Sequence, residues 1–199
     1  MHERIDKEVQ TLSRLSNNDG VPKVLFSNEN SFVMEPVCDK IDYFERNDLD
    51  KIIDTLQQAH SKGILHRDLR KCNILKDRDS RTIRVVDWGY AVDARTSHPF
   101  AGGLDCASDL ALESVIEERN IVYQKSDDLV SLLRSFYLTL HRHNGLDTFA
   151  FGNEDFQGHA DKTLAFWKSH GQSELWQELF QLAESCDYQG LKNKIAELY

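Results

Sequence analysis

Three polar residues at fixed intervals raise the question of chemistry. They are Asp68 in His66-Arg67-Asp68, Asn73 five residues later, and Asp87 in Asp87-Trp88-Gly89, 14 residues further on. They lie within or beside short apolar runs, in ILHRDLRKCNIL over 64–75 and VVDWG over 85–89. A carboxylate followed by an amide and a second carboxylate suits phosphoryl transfer. That reaction asks little covalent work of a protein. It needs a carboxylate to accept a hydroxyl proton and oxygen ligands for a Mg²⁺ that bridges the phosphates. Asp68 fits the first role, and Asn73 and Asp87 fit the second. Gly89 lets the backbone turn directly after the metal ligand.

The elements that must position these residues follow from periodicity. Over 3–15, Ile5, Val9, Leu12 and Leu15 share one helical face, and Asn17-Asn18-Asp19-Gly20 stops the helix. KVLFS (23–27) and SFVME (31–35) read as a hairpin, ended by Pro36. A second helix over 48–63 carries Ile52, Ile53, Leu56 and Ala59, with Gly63 as its cap. NIL and TIRVVD are two short strands around KDRDSR, and 90–120 is loop-like. The clearest helix spans 127–141, with Ser126 as N-cap and His141, Arg142 and His143 at the negative end of its dipole. A helical tail follows, with Leu175, Trp176, Leu179, Phe180 and Ala183 on one face. The order is α+β, weighted to α.

Composition narrows the function classes. The 199 residues are 40% hydrophobic and 29% charged, as in a water-soluble globular chain. A formal net charge of −9 argues against a nucleic-acid partner. Basic residues do gather at Arg67, Arg70, Lys71, Lys76, Arg78, Arg81 and Arg84, where an anionic ligand such as a phosphate or simply solvent can meet them. The cysteines Cys38, Cys72, Cys106 and Cys186 are widely spaced and form neither a zinc pattern nor a disulfide framework, so an intracellular, reducing location is expected. No apolar run approaches bilayer length, so no membrane partner is expected.

HRDLRKCN and DWG resemble the catalytic loop and metal-binding motif of the eukaryotic protein kinases, with Trp88 in place of the usual Phe. The likeness extends to LQQAHSKGILHRDL, to SFVMEPV as a strand and hinge, and to SDDLVSLL as the central buried helix, in a form closest to casein kinase-like sequences. The resemblance implies a protein kinase-like fold with an incomplete small β lobe over 1–36 and a helical large lobe over 37–199. It implies Met34 as gatekeeper, adenine bonded to the Glu35 carbonyl and the Val37 N–H, Asp68 as base and Arg70 on the transferring phosphate. Asn73 and Asp87 would hold Mg²⁺ and Asp128 the loop backbone. ATP, Mg²⁺ and a protein partner or protein substrate follow. Kinase-like small-molecule phosphotransferases fit less well, because they usually carry Gly or Asn at the position of Arg67.

The departures set two readings side by side. A Gly-rich loop and a strand with a phosphate-pairing Lys do not precede the first helix, so Glu8 lacks its family partner. Ala111-Leu112-Glu113 stands for Ala-Pro-Glu, and no Arg follows Arg142 to meet Glu113. Leu133 replaces a Gly of the central helix. One reading is a truncated pseudokinase or weakly active kinase acting through protein contacts. The other is an active minimal serine/threonine kinase, with Thr96, Ser97 and Ser108 as candidate acceptors. Arg67 would pair with a phosphorylated residue, or else with Asp93 or Asp105. Oligomeric state stays open.

Overall fold

The computed structural model describes residues 2–141 and 155–199, with residues 2–4 by backbone alone. Helix α1 (His2–Arg14) buries Leu12 and, just past its end, Leu15. The Asn17–Gly20 run does more than stop it. Asn18 Nδ2 donates to the Thr55 carbonyl at 2.9 Å, its Oδ1 accepts the Gly20 N–H at 2.9 Å, and the Gly20 carbonyl accepts the Val85 N–H at 2.8 Å. The turn therefore joins α1 to α2 (Arg46–Ser61) and to strand β6 (Ile83–Val85).

The hairpin forms as the alternation requires. Strands β1 (Lys23–Ser27) and β2 (Phe32–Glu35) pair antiparallel, from Lys23 opposite Glu35 to Ser27 opposite Phe32, with a bulge at Leu25. Asn28 Oδ1 closes the turn by accepting the N–H groups of Asn30 and Ser31. Val24 and Phe32 pack on the core, while Leu25, Phe26 and Val33 are each more than half exposed.

A three-stranded antiparallel sheet in the order β3-β5-β6 carries the loop that holds Asn73. Its strand β3 (Cys38–Lys40) has no counterpart in the sequence expectation, because three mixed residues carry no period. Strand β5 (Ile74–Asp77) begins directly after Asn73. Its Lys76 is buried and offset by Asp48 at 3.0 Å and Glu45 at 3.2 Å, which pins the sheet to the start of α2. Two short ladders complete the strands: β4 (Ile64–Leu65) with β7 (Val92–Asp93), and β8 (Ser97–His98) with β9 (Ile121–Val122).

The rest is helical. Helix α4 (Lys125–Leu140) lies within the core, with Leu129, Leu132, Leu133 and Phe136 almost fully buried. Its cap is Gln124, not Ser126, because Asp127 Oδ2 accepts the Gln124 N–H at 2.7 Å in a capping box. The cations expected beyond His141, Arg142 and His143, lie outside the described residues. Helices α5 (Phe156–Ser169), α6 (Glu174–Glu184) and α7 (Tyr188–Ile195) follow. Phe136, Tyr137, Trp167 and Trp176 form an aromatic cluster between α4, α5 and α6. The 90–120 stretch, expected as loop, contains helix α3 (Asp109–Ile116), capped by Ser108. Arg134 of α4 is buried and docks α3 by bonding Asp109 and the Ala107 carbonyl, with its guanidinium 4.7 Å from the Trp167 ring centre. No described helix is long and apolar enough to cross a membrane.

Gly20 is held by space. A β-carbon there would lie 1.7 Å from Thr55 Oγ1. Gly20→Ala should therefore push the turn off α2 and lower the stability measured by urea unfolding by about 1–3 kcal/mol.

Candidate active site

The loop from His66 to Asn73 is built on one carboxylate. Asp128, at the start of α4, accepts the His66 N–H at 2.7 Å through Oδ2 and the Arg67 N–H at 2.8 Å through Oδ1. Burial alone would raise its pKa, but the bonds from His60 and the charges and N–H groups around it outweigh that and hold it below the usual carboxylate range. Between the two bonded residues the chain turns sharply, with Arg67 at φ 74°.

The His66 ring continues the network. Its Nε2 lies 2.9 Å from the Val86 carbonyl, which can only accept, so Nε2 carries the proton. Nδ1 then accepts the Asp68 N–H at 3.2 Å. His66 thereby ties the strand leading to Asp87 to the loop carrying Asp68. A second tie is the Val86 N–H, which donates to the Asn73 carbonyl at 2.9 Å.

The structure brings Asp68, Arg70 and Asn73 together. Asn73 Nδ2 donates at 2.9 Å to both the main-chain carbonyl and Oδ2 of Asp68. Arg70 Nε lies 3.1 Å from Asp68 Oδ1, at ion-pair distance. Burial works against the Arg70 charge, but the Asp68 carboxylate outweighs it and the guanidinium pKa rises. Asp68 Oδ1 also accepts the Gly103 N–H at 2.7 Å, and the Asp68 side chain is only 2% exposed. Sequence reasoning missed this last partner, since Gly102-Gly103 reads as a simple turn. Gly102 has φ 114°, and a β-carbon on it would lie 2.7 Å from the Arg67 carbonyl oxygen and 3.1 Å from Asp68 Oδ1.

Asp87 is left-handed, at φ 60° and ψ 60°. Trp88 beside it is fully buried, not by packing alone: its indole N–H donates to the Val85 carbonyl at 2.9 Å, and its ring meets the His66 ring at 4.6 Å. Glu8 of α1 accepts the Trp88 backbone N–H at 3.2 Å. The helix carboxylate thus anchors to the Asp87-Trp88-Gly89 backbone.

The residues present fit a Mg²⁺. Asn73 turns its nitrogen to Asp68 and its oxygen toward Cys72 Sγ, 3.5 Å away. The Cys72 thiol is pushed up by burial first and, against Arg70, by the charges of Asp68 and Asp87. An amide oxygen and a carboxylate are the hard donors this ion takes when phosphates supply the rest. Glu35 and Val37 sit at the far end of the sheet, where Cys38 faces Asp77 and the Val37 carbonyl accepts the Arg78 N–H at 3.0 Å. Met34 is 40% exposed.

Two expectations change. Arg67 pairs with neither Asp93 nor Asp105. It donates to the carbonyls of Tyr90 (3.4 Å) and Pro99 and lies over the Tyr123 ring at 4.2 Å. Asp93 instead pairs with Arg14 at 2.6 Å, and Asp105 faces His159 at 3.5 Å. Helix α3 is docked through Asp109, which Arg134 bonds. Ser108 is buried and donates to Asp127 at 2.6 Å, which removes it as an accessible hydroxyl.

Comparison with known proteins agrees with this geometry. Residues 37–132 match the family model described as protein kinase domain. The chain is 32% identical over 108 residues to serine/threonine-protein kinase 1 of African swine fever virus (isolate Tick/Malawi/Lil 20-1/1983), covering 46% of this chain and 36% of that protein. It is 37% identical over 76 residues to serine/threonine-protein kinase PDK1 of Cryptococcus neoformans var. grubii, covering 33% of this chain and 6% of that one. The chain therefore spans about a third or less of the length of these curated relatives. Among solved structures, the Cydia pomonella granulovirus kinase PK-1 superposes with a TM-score of 0.63 at 18% identity, over 94% of this chain and 78% of that one. The described fold is protein kinase-like, and residues 37–132 match the protein kinase domain family model.

Proposed function

We propose that this chain is a weakly active protein kinase or pseudokinase that works chiefly through protein contacts, with residues 1–36 as a partial small lobe. The observation that carries this reading is the closure over Asp68. A general base must come within hydrogen-bond reach of the hydroxyl it deprotonates. Here both carboxylate oxygens are bonded within the chain and the side chain is 2% exposed. A protein substrate or partner that lifts Gly102-Gly103 would open it.

Adenine would bond the Glu35 carbonyl and the Val37 N–H, and Asn73 and Asp87 would hold the metal. When bound, Mg²⁺ neutralises charge on the transferring phosphate. Asp68 accepts the proton of a serine or threonine hydroxyl, and Arg70 faces the phosphate. The exposed Leu25, Phe26, Val33 and Val37 on and beside the hairpin offer an apolar surface for a protein partner. A second reading, an active serine/threonine kinase, is favoured by the intact bonds from Asn73 and Arg70 to Asp68.

Calorimetry with ATP, with and without Mg²⁺, is the first test. Binding should need Mg²⁺ and be lost in Asp87→Asn. Mg²⁺-independent binding, or binding unchanged in the variant, would sink the metal assignment. Transfer to a protein substrate should run well below the ~1–100 s⁻¹ usual for kinases. A rate inside that range would favour the second reading.

Gly102→Ala tests the closure itself. The strained, crowded β-carbon should make the Gly103 amide exchange roughly tenfold faster and raise the transfer rate. Faster exchange with a lower rate would mean that the closed segment aligns substrate instead of excluding it.

A further inference from the structure

Asp128, whose role the family resemblance implies, is itself held from the far side. Its Oδ2 lies 3.0 Å from His60 Nε2, and His60 Nδ1 lies 2.7 Å from the Tyr188 hydroxyl. His60 is near the end of α2 and 2% exposed; Tyr188 is the first residue of α7, 128 positions away. A continuous polar chain therefore runs from α7 through α2 and α4 to the backbone of His66 and Arg67.

Proton placement follows from the partners. Asp128 below its usual range is a carboxylate and can only accept, so His60 Nε2 carries a proton. The Tyr188 hydroxyl lies at Nδ1 and can donate to it when the ring carries only the Nε2 proton. A hydroxyl donating to Nδ1 suits the Nε2–H tautomer, the one Asp128 needs. The other tautomer would aim a lone pair at a buried carboxylate.

We infer that Tyr188 is a positioning residue, which fills the second ring nitrogen of His60 and through His60 and Asp128 sets the backbone of the catalytic loop. The importance of that loop rests on the reading of Asp68 given above, but the chain of bonds can be tested without turnover.

A docking role alone predicts something different. Lys192 of α7 bonds Asp54 of α2 at 2.7 Å, a contact between the same two helices that avoids His60. Amide exchange in the wild-type chain, Tyr188→Phe and Lys192→Ala separates the two accounts. Tyr188→Phe should speed exchange of the His66 and Arg67 amides roughly tenfold, the cost of one unfilled buried acceptor. Lys192→Ala should loosen α7 amides and leave those two unchanged. Long-range nitrogen–proton spectra should find His60 as Nε2–H in both proteins, with the Nδ1 resonance shifted in Tyr188→Phe where its hydroxyl partner is lost.

Equal loop exchange in both variants, or an unchanged loop in Tyr188→Phe, would overturn the inference. If Tyr188→Phe fails to fold, His60→Gln decides. Its amide can accept from Tyr188 and donate to Asp128, so the two loop amides should stay protected, and their loss of protection would count against the relay. Should the wild type transfer phosphate, Tyr188→Phe should lower kcat and leave the KM for ATP unchanged. A wild type without transfer would leave the pseudokinase reading and rule out the active one, while the exchange result still decided the role of Tyr188.

Discussion

Two backbone N–H groups, those of His66 and Arg67, end on one buried carboxylate, and the rest of the site is stacked on that fact. Asp128 would be costly where it lies without partners. Its bonds from the loop and from His60 make the charge tolerable, and in return they hold the loop in a turn that includes a left-handed Arg67. From that turn the His66 ring reaches Val86, Asp68 meets Asn73, and the chain enters β5. Loss of the carboxylate would leave the loop amides unpaired and free three elements that otherwise share one arrangement.

Electrostatics at the second docking point follow the same logic with the signs exchanged. Arg134 is a buried cation on a core helix, and the start of α3 supplies its carboxylate and carbonyl. Burial pulls the Arg134 pKa down and Asp109 opposes it, so the pair is a compromise between desolvation and attraction. The two ions on α4 thus anchor different segments: Asp128 holds the His66–Arg67 backbone, and Arg134 holds Ala107 and Asp109.

Much of this was legible in the sequence, and the reasons differ by element. Helices α1 and α2 declare themselves because each has one side against the core and three or more turns over which to show it, and α4, buried on all sides over 127–137, still shows the helical repeat in its largest apolar residues. Helix α3 did not, since eight residues with Ala and Leu on both sides carry little period. The spacing of Asp68, Asn73 and Asp87 raised the expectation of a shared chemistry, and the structure brings the first two into contact. Their covering partner was invisible, because Gly103 contributes only a backbone N–H. Arg134 was unreadable for another reason: a charge on a helix is normally taken for surface. The link between His60 and Tyr188 spans most of the chain, and no local rule joins residues so far apart.

Gly102 carries a further consequence, for how such a protein can change over generations. Its closure depends on the lack of a methyl group, not on a favourable side chain that could be weakened by degrees. Every substitution there adds bulk at the same crowded place, so each one acts in the same direction. Drift at most positions adjusts a property gradually; at this one a single codon is a step. A lineage could therefore pass between a covered and an uncovered Asp68 without any change to Asp68.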